Sequence, residues 1–136
     1  MLALPLLAAV AAAVIACTAP KVHDGDTLRC GAQRVRLFGV DAPELRRGKT
    51  AAEPFAYEAR DLLIDLTRGR VGCRIVDRDL YGRAVARCWS SASPDLNAAL
   101  IRSGLATEYR RYSKGAYQAA ENQARQAGRG QWAEGK

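Results

Sequence analysis

The chain has 136 residues, with 21 Lys and Arg against 14 Asp and Glu, for a net charge of +7. That length excludes a multidomain assembly and leaves room for one modest core. Four cysteines with no CxxC pair, beside a single histidine, argue against a zinc site, and the basic charge favours a polyanionic partner such as nucleic acid, anionic lipid or acidic glycan.

Leu2 to Ala16 is a Leu/Ala/Val run without charge, short for a spanning helix. It reads as a secretory h-region followed by small residues, with cleavage after Ala13 or Ala16, or as a retained membrane anchor. An N-terminal core helix is the structural alternative. Val14-Ile15-Ala16-Cys17 also has the form of a bacterial lipobox, which would place a lipid on Cys17. Residues 1–19 are therefore set apart as signal peptide or membrane anchor, and 20–136 as the folded domain.

Thr18 to Val22 and Thr27 to Cys30 read as strands joined by the Asp24-Gly25 turn. Gly31-Ala32 turns the chain into a third strand, Gln33 to Val40. There Arg34, Arg36 and Phe38 share one face, and Val35, Leu37 and Gly39 the other. Strict alternation would put Arg36 and Asp41 on opposite faces, so a shared site requires a break in register, which Gly39 can supply.

Leu45 to Ala52 is a polar loop carrying Arg46, Arg47 and Lys49. Glu53 to Arg68 is an amphipathic helix, with Pro54 at its start, Phe55, Ala59, Leu62, Leu63 and Leu66 on its apolar face, and Gly69 at its end. Val71 to Asp77 and Tyr81 to Trp89 are two further strands. Ser93-Pro94-Asp95 opens a short helix that runs to Ser103. Leu105 to Tyr112 is a linker rich in Tyr and Arg, and Ala116 to Ala127 is the last helix, with Trp132 packing back on the body. The pattern predicts an α+β domain of five strands and three helices, a barrel or a sandwich.

Cys73 and Cys88 flank one expected hairpin, and Cys17 and Cys30 flank another. The predicted disulfides are Cys17–Cys30 and Cys73–Cys88, which fit a small exported domain; buried free thiols are the alternative. A lipid on Cys17 and the first disulfide exclude each other.

The chemistry concentrates in two acidic clusters, Asp24 with Asp26 and Asp41 with Glu44, separated by a strand bearing Arg34 and Arg36. Taken singly, each cluster could be ordinary turn or loop acids. Brought together, the carboxylates repel unless a cation or basic group neutralises them, and oxygen donors on flexible loops suit calcium. Glu44 is the candidate general base, or the group that positions the attacking water. Guanidiniums suit the equatorial oxygens of a phosphodiester in its transition state. Exposed tyrosines can stack on any base. His23 has no patterned partner and reads as a turn-flanking residue.

Asp24-Gly25-Asp26-Thr27, Arg36-Leu37-Phe38-Gly39-Val40-Asp41-Ala42-Pro43-Glu44 and Tyr81-Gly82-Arg83, in that order, resemble the thermonuclease (staphylococcal nuclease-like) family. The resemblance covers roughly residue 20 to the end. It implies an OB-fold-type Greek-key barrel of five strands. It implies calcium held by Asp26, Asp41 and the backbone carbonyl of Ala42, with Asp24 in the outer shell, and phosphate clamped by Arg36 and Arg83. The family often has threonine at the position of Ala42, so a hydroxyl is missing here, and Leu80 replaces a basic residue beside the Tyr-Gly-Arg turn. Lys49 could compensate, with Tyr81 and Tyr112 completing the substrate contacts.

The function implied is an exported calcium-dependent nuclease, a monomer acting on DNA and RNA with unpaired regions favoured. Water attacks, the 5′ oxygen leaves, and 3′-phosphate ends result. Two rivals are a non-catalytic OB-fold protein that binds single-stranded nucleic acid and a lipoprotein adhesin tethered through Cys17.

Overall fold

In a computed structural model that describes residues 13–133, the chain forms a mixed α+β body. The strands are β1 (Val14–Thr18), β2 (Lys21–Asp24), β3 (Thr27–Cys30), β4 (Gln33–Leu37), β5 (Val40–Asp41), β6 (Arg70–Arg78), β7 (Ala84–Ser90) and β8 (Thr107–Glu108). The helices are α1 (Ala56–Leu66), α2 (Leu96–Arg102), α3 (Arg110–Ser113) and α4 (Gln118–Ala127), followed by a 3₁₀ turn at Gly130–Trp132. Six strands make one sheet in the order β1-β6-β7-β4-β3-β2, antiparallel except for the β4–β7 pair, and β5 and β8 form a separate two-stranded ladder. The apolar run from Leu2 lies mostly outside the described residues; among those described, no helix is long and apolar enough to cross a membrane.

The count differs from the expected five strands and three helices at identifiable places. The end of the apolar run, Val14–Thr18, is a strand that pairs with β6 across its full length. The expected strand Gln33 to Val40 is interrupted at Phe38 and Gly39, and the segment read as a linker contains both β8 and α3. Tyr81 sits in the turn between β6 and β7 rather than in a strand, because β6 runs on to Arg78 and β7 begins only at Ala84. In α2 it is Asp95, not Ser93, that caps: its carboxylate accepts the Ala98 N–H at 2.9 Å, while Ser93 Oγ accepts the Asp95 N–H. Phe55 stands before α1 at a φ of 69°, so the helix starts at Ala56, and Phe55 is only half-buried while Ala59 and Leu63 are fully buried.

Alternation holds where it was strict. Val35 and Leu37 are fully buried, Arg34 is exposed and Arg36 half-buried. With Leu28, Val40, Leu63, Leu96, Leu100 and Ile101 they form the core between the curled sheet and α1 and α2. Both predicted disulfides are present. Cys73 and Cys88 face each other across β6 and β7 with Cα atoms 4.0 Å apart. Cys17–Cys30 joins β1, one edge of the sheet, to β3, which lies next to the other edge. The sheet therefore curls until its ends come within disulfide reach.

Candidate active site

The acidic wall is built by two close approaches. The β2–β3 turn packs under α1: a Cβ on Gly25 would stand 2.6 Å from Ala59 Cβ and 2.9 Å from Ala42 Cβ, so only glycine fits. This seats Asp24 and Asp26, both buried, beside the chain at Ala42. Asp26 Oδ2 accepts the Ala42 N–H at 2.9 Å, and its Oδ1 accepts the Thr27 hydroxyl at 2.9 Å. Gly39, at a φ of 72°, separates β4 from β5 and makes the register break that the alternation requires. Arg36 and Asp41 consequently face one cleft.

The basic groups are held by the same frame. Arg36 donates to the Val40 carbonyl at 3.2 Å and lies 3.6 Å from Asp26 Oδ2. Arg83 is fixed by a residue the sequence reading passed over. Asp79 Oδ1 accepts the backbone N–H of both Tyr81 and Arg83 at 2.9 Å, and its Oδ2 accepts Arg83 Nε at 2.5 Å. Burial pushes the Asp79 carboxyl up, but these hydrogen bonds from Arg83 and Tyr81 outweigh it and hold its pKa below the usual range. The bond occupies Nε and leaves the terminal amino groups of Arg83 for a ligand. An acid two residues before a Tyr-Gly turn is the signal that could have marked Asp79 in advance.

These elements enclose a cleft of about 660 Å³ lined by Asp24, Asp26, Asp41, Glu44, Arg36 and Arg83, with Tyr81, Tyr109 and Tyr112 at its sides. Tyr81 and Tyr112 are 85% and 58% exposed, so two aromatic faces are open to a base. Tyr109 and Tyr112 lie with ring centroids 5.0 Å apart. Leu80 is fully exposed on the rim. Glu44 is half exposed and 3.7 Å from Arg47, an ion pair weak enough to yield to a substrate. One expected contact lies elsewhere. Lys49, in the polar loop, does not line the cleft, whereas Arg47 of the same loop does. Ala42 is buried, and its N–H donates to Asp26.

The acids are more crowded than their neighbours can neutralise. Burial raises the Asp26 pKa to about 6; Arg36 opposes the shift, while the charge and hydrogen bonding of Asp24 add to it. Asp41 is raised for the same first reason, burial, and then by Asp26. Asp24 Oδ1 is buried with no hydrogen-bond partner among the described residues. An orphaned carboxylate oxygen beside a buried anion, with only oxygen donors about, fits a hard divalent cation. Among the described residues no three acidic, His or Cys side chains cluster closely enough to hold a metal by themselves. A cation here would hold Asp26 and Asp41 and draw its remaining ligands from the Ala42 carbonyl, water or a phosphate, as calcium sites commonly do.

The sign of the Asp26 shift gives a test. Its folded pKa is above the value of 3.8 expected when unfolded, so the native state binds the proton more tightly. The contribution to stability is present below pH 3.8 and is lost as pH rises through about 6. In chelator, Asp26→Asn should therefore gain stability relative to wild type between pH 4 and 7, on the order of 3 kcal/mol, read as diverging urea midpoints. Parallel midpoints would rule the shift out.

Over residues 34–134 the chain matches the family described as Staphylococcal nuclease homologue. It is 35% identical to the succinoglycan biosynthesis protein ExoI of Rhizobium meliloti (strain 1021), over 82% of this chain and 61% of that protein. It is 38% identical to the probable endonuclease lcl3 of Pyrenophora tritici-repentis (strain Pt-1C-BFP), over 73% of this chain and 41% of that one. The probable endonuclease LCL3 of Schizophyllum commune (strain H4-8 / FGSC 9210) is 35% identical, with 74% and 40% covered. The chain spans less than two-thirds of the length of each of these relatives.

Proposed function

Because the chain belongs to the staphylococcal nuclease homologue family, we propose that it is an exported, calcium-dependent phosphodiesterase that cuts DNA and RNA with little sequence preference and leaves 3′-phosphate ends. One observation carries the proposal: Asp26, Asp41, Glu44, Arg36 and Arg83, far apart in sequence, line one cleft. A surface that only bound nucleic acid would have no use for three carboxylates beside two phosphate-binding arginines.

Calcium, when bound at Asp26 and Asp41, would neutralise phosphate charge and acidify a water. Arg36 and Arg83 grip the equatorial oxygens as negative charge grows on them. Glu44 takes the proton of the attacking water or orients that water. Tyr81 and Tyr112 stack on bases without reading them, which supports broad specificity. The curled sheet fits an OB-type barrel with the site at one end of its strands.

The two disulfides support an oxidising, extracytoplasmic setting. While Cys17 is bonded to Cys30 it has no thiol for a lipid, which favours the secreted or periplasmic form over the tethered one. Since β1 starts at Val14, processing after Ala13 keeps the sheet whole, and processing after Ala16 would remove most of its edge strand. We take the active form to be a monomer.

Plasmid nicking with and without calcium, followed by end-group analysis of a cut oligonucleotide, tests the function. Nicking that survives chelation removes the calcium requirement, and no nicking at all leaves a binding module. Glu44→Gln is expected to lose at least about 10²-fold in turnover with an unchanged urea midpoint, because the side chain is half exposed and holds only a loose ion pair. Near-normal turnover in that folded variant would remove Glu44 from the chemistry.

A further inference from the structure

Outside the cleft, one arrangement of charge calls for a ligand. Lys21 of β2 is paired directly with Arg29 of β3, and Arg29 directly with Arg34 of β4. Directly opposed residues of antiparallel strands share a face, so three cations stand in a row across three strands, roughly 10 Å from end to end. All three are exposed, and none of their side chains has an ion-pair or hydrogen-bond partner among the described residues. Like charges set opposite each other destabilise a sheet. Another such pair, Arg74 and Arg87, differs: the Arg87 guanidinium lies 5.1 Å from the Phe38 ring and 5.7 Å from Tyr117. The row on β2, β3 and β4 has no such relief.

The row leads into the catalytic cleft. Arg34 shares its face of β4 with Arg36, two residues on. A groove of about 380 Å³ lined by Lys21, Arg29 and Arg34 shares Arg34, His23 and Thr27 with the cleft. On the other side, Arg34 and Arg83 line a pocket of about 360 Å³ together.

We infer that Lys21, Arg29 and Arg34 form a track for the sugar–phosphate backbone of a single polynucleotide strand, holding phosphates beyond the scissile one. This rests on the nuclease reading and adds to it a preference for long substrates over dinucleotides. The track carries no aromatic side chain, so its contribution is electrostatic and independent of sequence.

The test uses Lys21→Gln/Arg29→Gln, which leaves the catalytic side chains in place. Affinity for labelled poly-dT is measured by anisotropy in chelator between about 50 and 200 mM salt. Removing two contacts should reduce the steepness of log affinity against log salt by about 1.4. Turnover of the dinucleotide dTpdT with calcium should stay within about twofold of wild type, which also reports correct folding, and Arg29→Lys should keep the wild-type slope. An unchanged slope in the double variant, with a wild type that binds and cuts poly-dT, overturns the track and leaves the nuclease standing. Loss of dTpdT turnover also overturns it, since the two residues would then serve the chemistry or the fold. A wild type that neither binds nor cuts poly-dT overturns both.

Discussion

Arg36→Ala should lower turnover by at least about 10²–10³-fold while the protein remains folded, and Arg83→Ala should do the same. Arg36 reaches the cleft from β4 and Arg83 from the connection between β6 and β7, and they are oriented by different partners, the Val40 carbonyl and Asp79. Arg36 has a second effect. It is the cation that opposes the raised pKa of Asp26. Its guanidinium lies 3.6 Å from Asp26 Oδ2 and competes with a cation for that carboxylate, so Arg36→Ala should also need less calcium for its residual activity. Arg83 pairs with Asp79 rather than with Asp26, so its loss should leave the calcium requirement unchanged. Lysine at either position should recover little, since it cannot offer paired donors to two phosphate oxygens. Single-turnover cleavage across a calcium series reads both effects. Identical calcium curves for Arg36→Ala and Arg83→Ala would refute the division of roles.

Asn97→Ala is expected to cost about 3 kcal/mol, measured as a lower urea midpoint, and to depress activity only through that loss. Asn97 is fully buried at the start of α2 and uses both ends of its amide. Oδ1 accepts the Cys88 N–H at 3.0 Å; Nδ2 donates to the Phe38 carbonyl at 2.8 Å and the Ala86 carbonyl at 3.1 Å. It thus ties α2 and β7 to the break between β4 and β5. Alanine leaves the Cys88 N–H and the Phe38 carbonyl without their side-chain partner, while the Ala86 carbonyl keeps the Phe38 N–H at 2.8 Å. A midpoint within error of wild type would show that the network is dispensable.

What the sequence made legible was local. The Asp24-Gly25 turn, the alternation of β4 and the need for a break at Gly39 depend on residues within a few positions of one another. The cysteine pairs were readable because each flanks a turn. Asn97 was not, because its partner Phe38 lies 59 residues away and nothing near Asn97 announces it. The β5–β8 ladder was hidden for the same reason: two residues pair with two others across most of the domain, too few for periodicity to register. The placement of Arg47 rather than Lys49 in the cleft depends on the path of a loop held by Glu53 N–H on the Glu44 carbonyl, a contact that composition does not encode. Asp79 fell between the two cases, since its bonds are local but its purpose appears only once Arg83 is seen facing the acids.

That short ladder has a mechanical meaning. Val40 and Asp41 pair with Glu108 and Thr107, and the Tyr109 N–H donates to the Gly39 carbonyl at 2.8 Å, so the strip bearing Asp41 and the strip leading to Tyr109 and Tyr112 are stitched edge to edge. Under the proposed function, a nucleobase that pushed the tyrosines aside would tug on Asp41 as well. Seating the base and shaping the cavity for a cation would then be geared together, and a badly seated nucleotide would spoil the acid geometry by the same displacement.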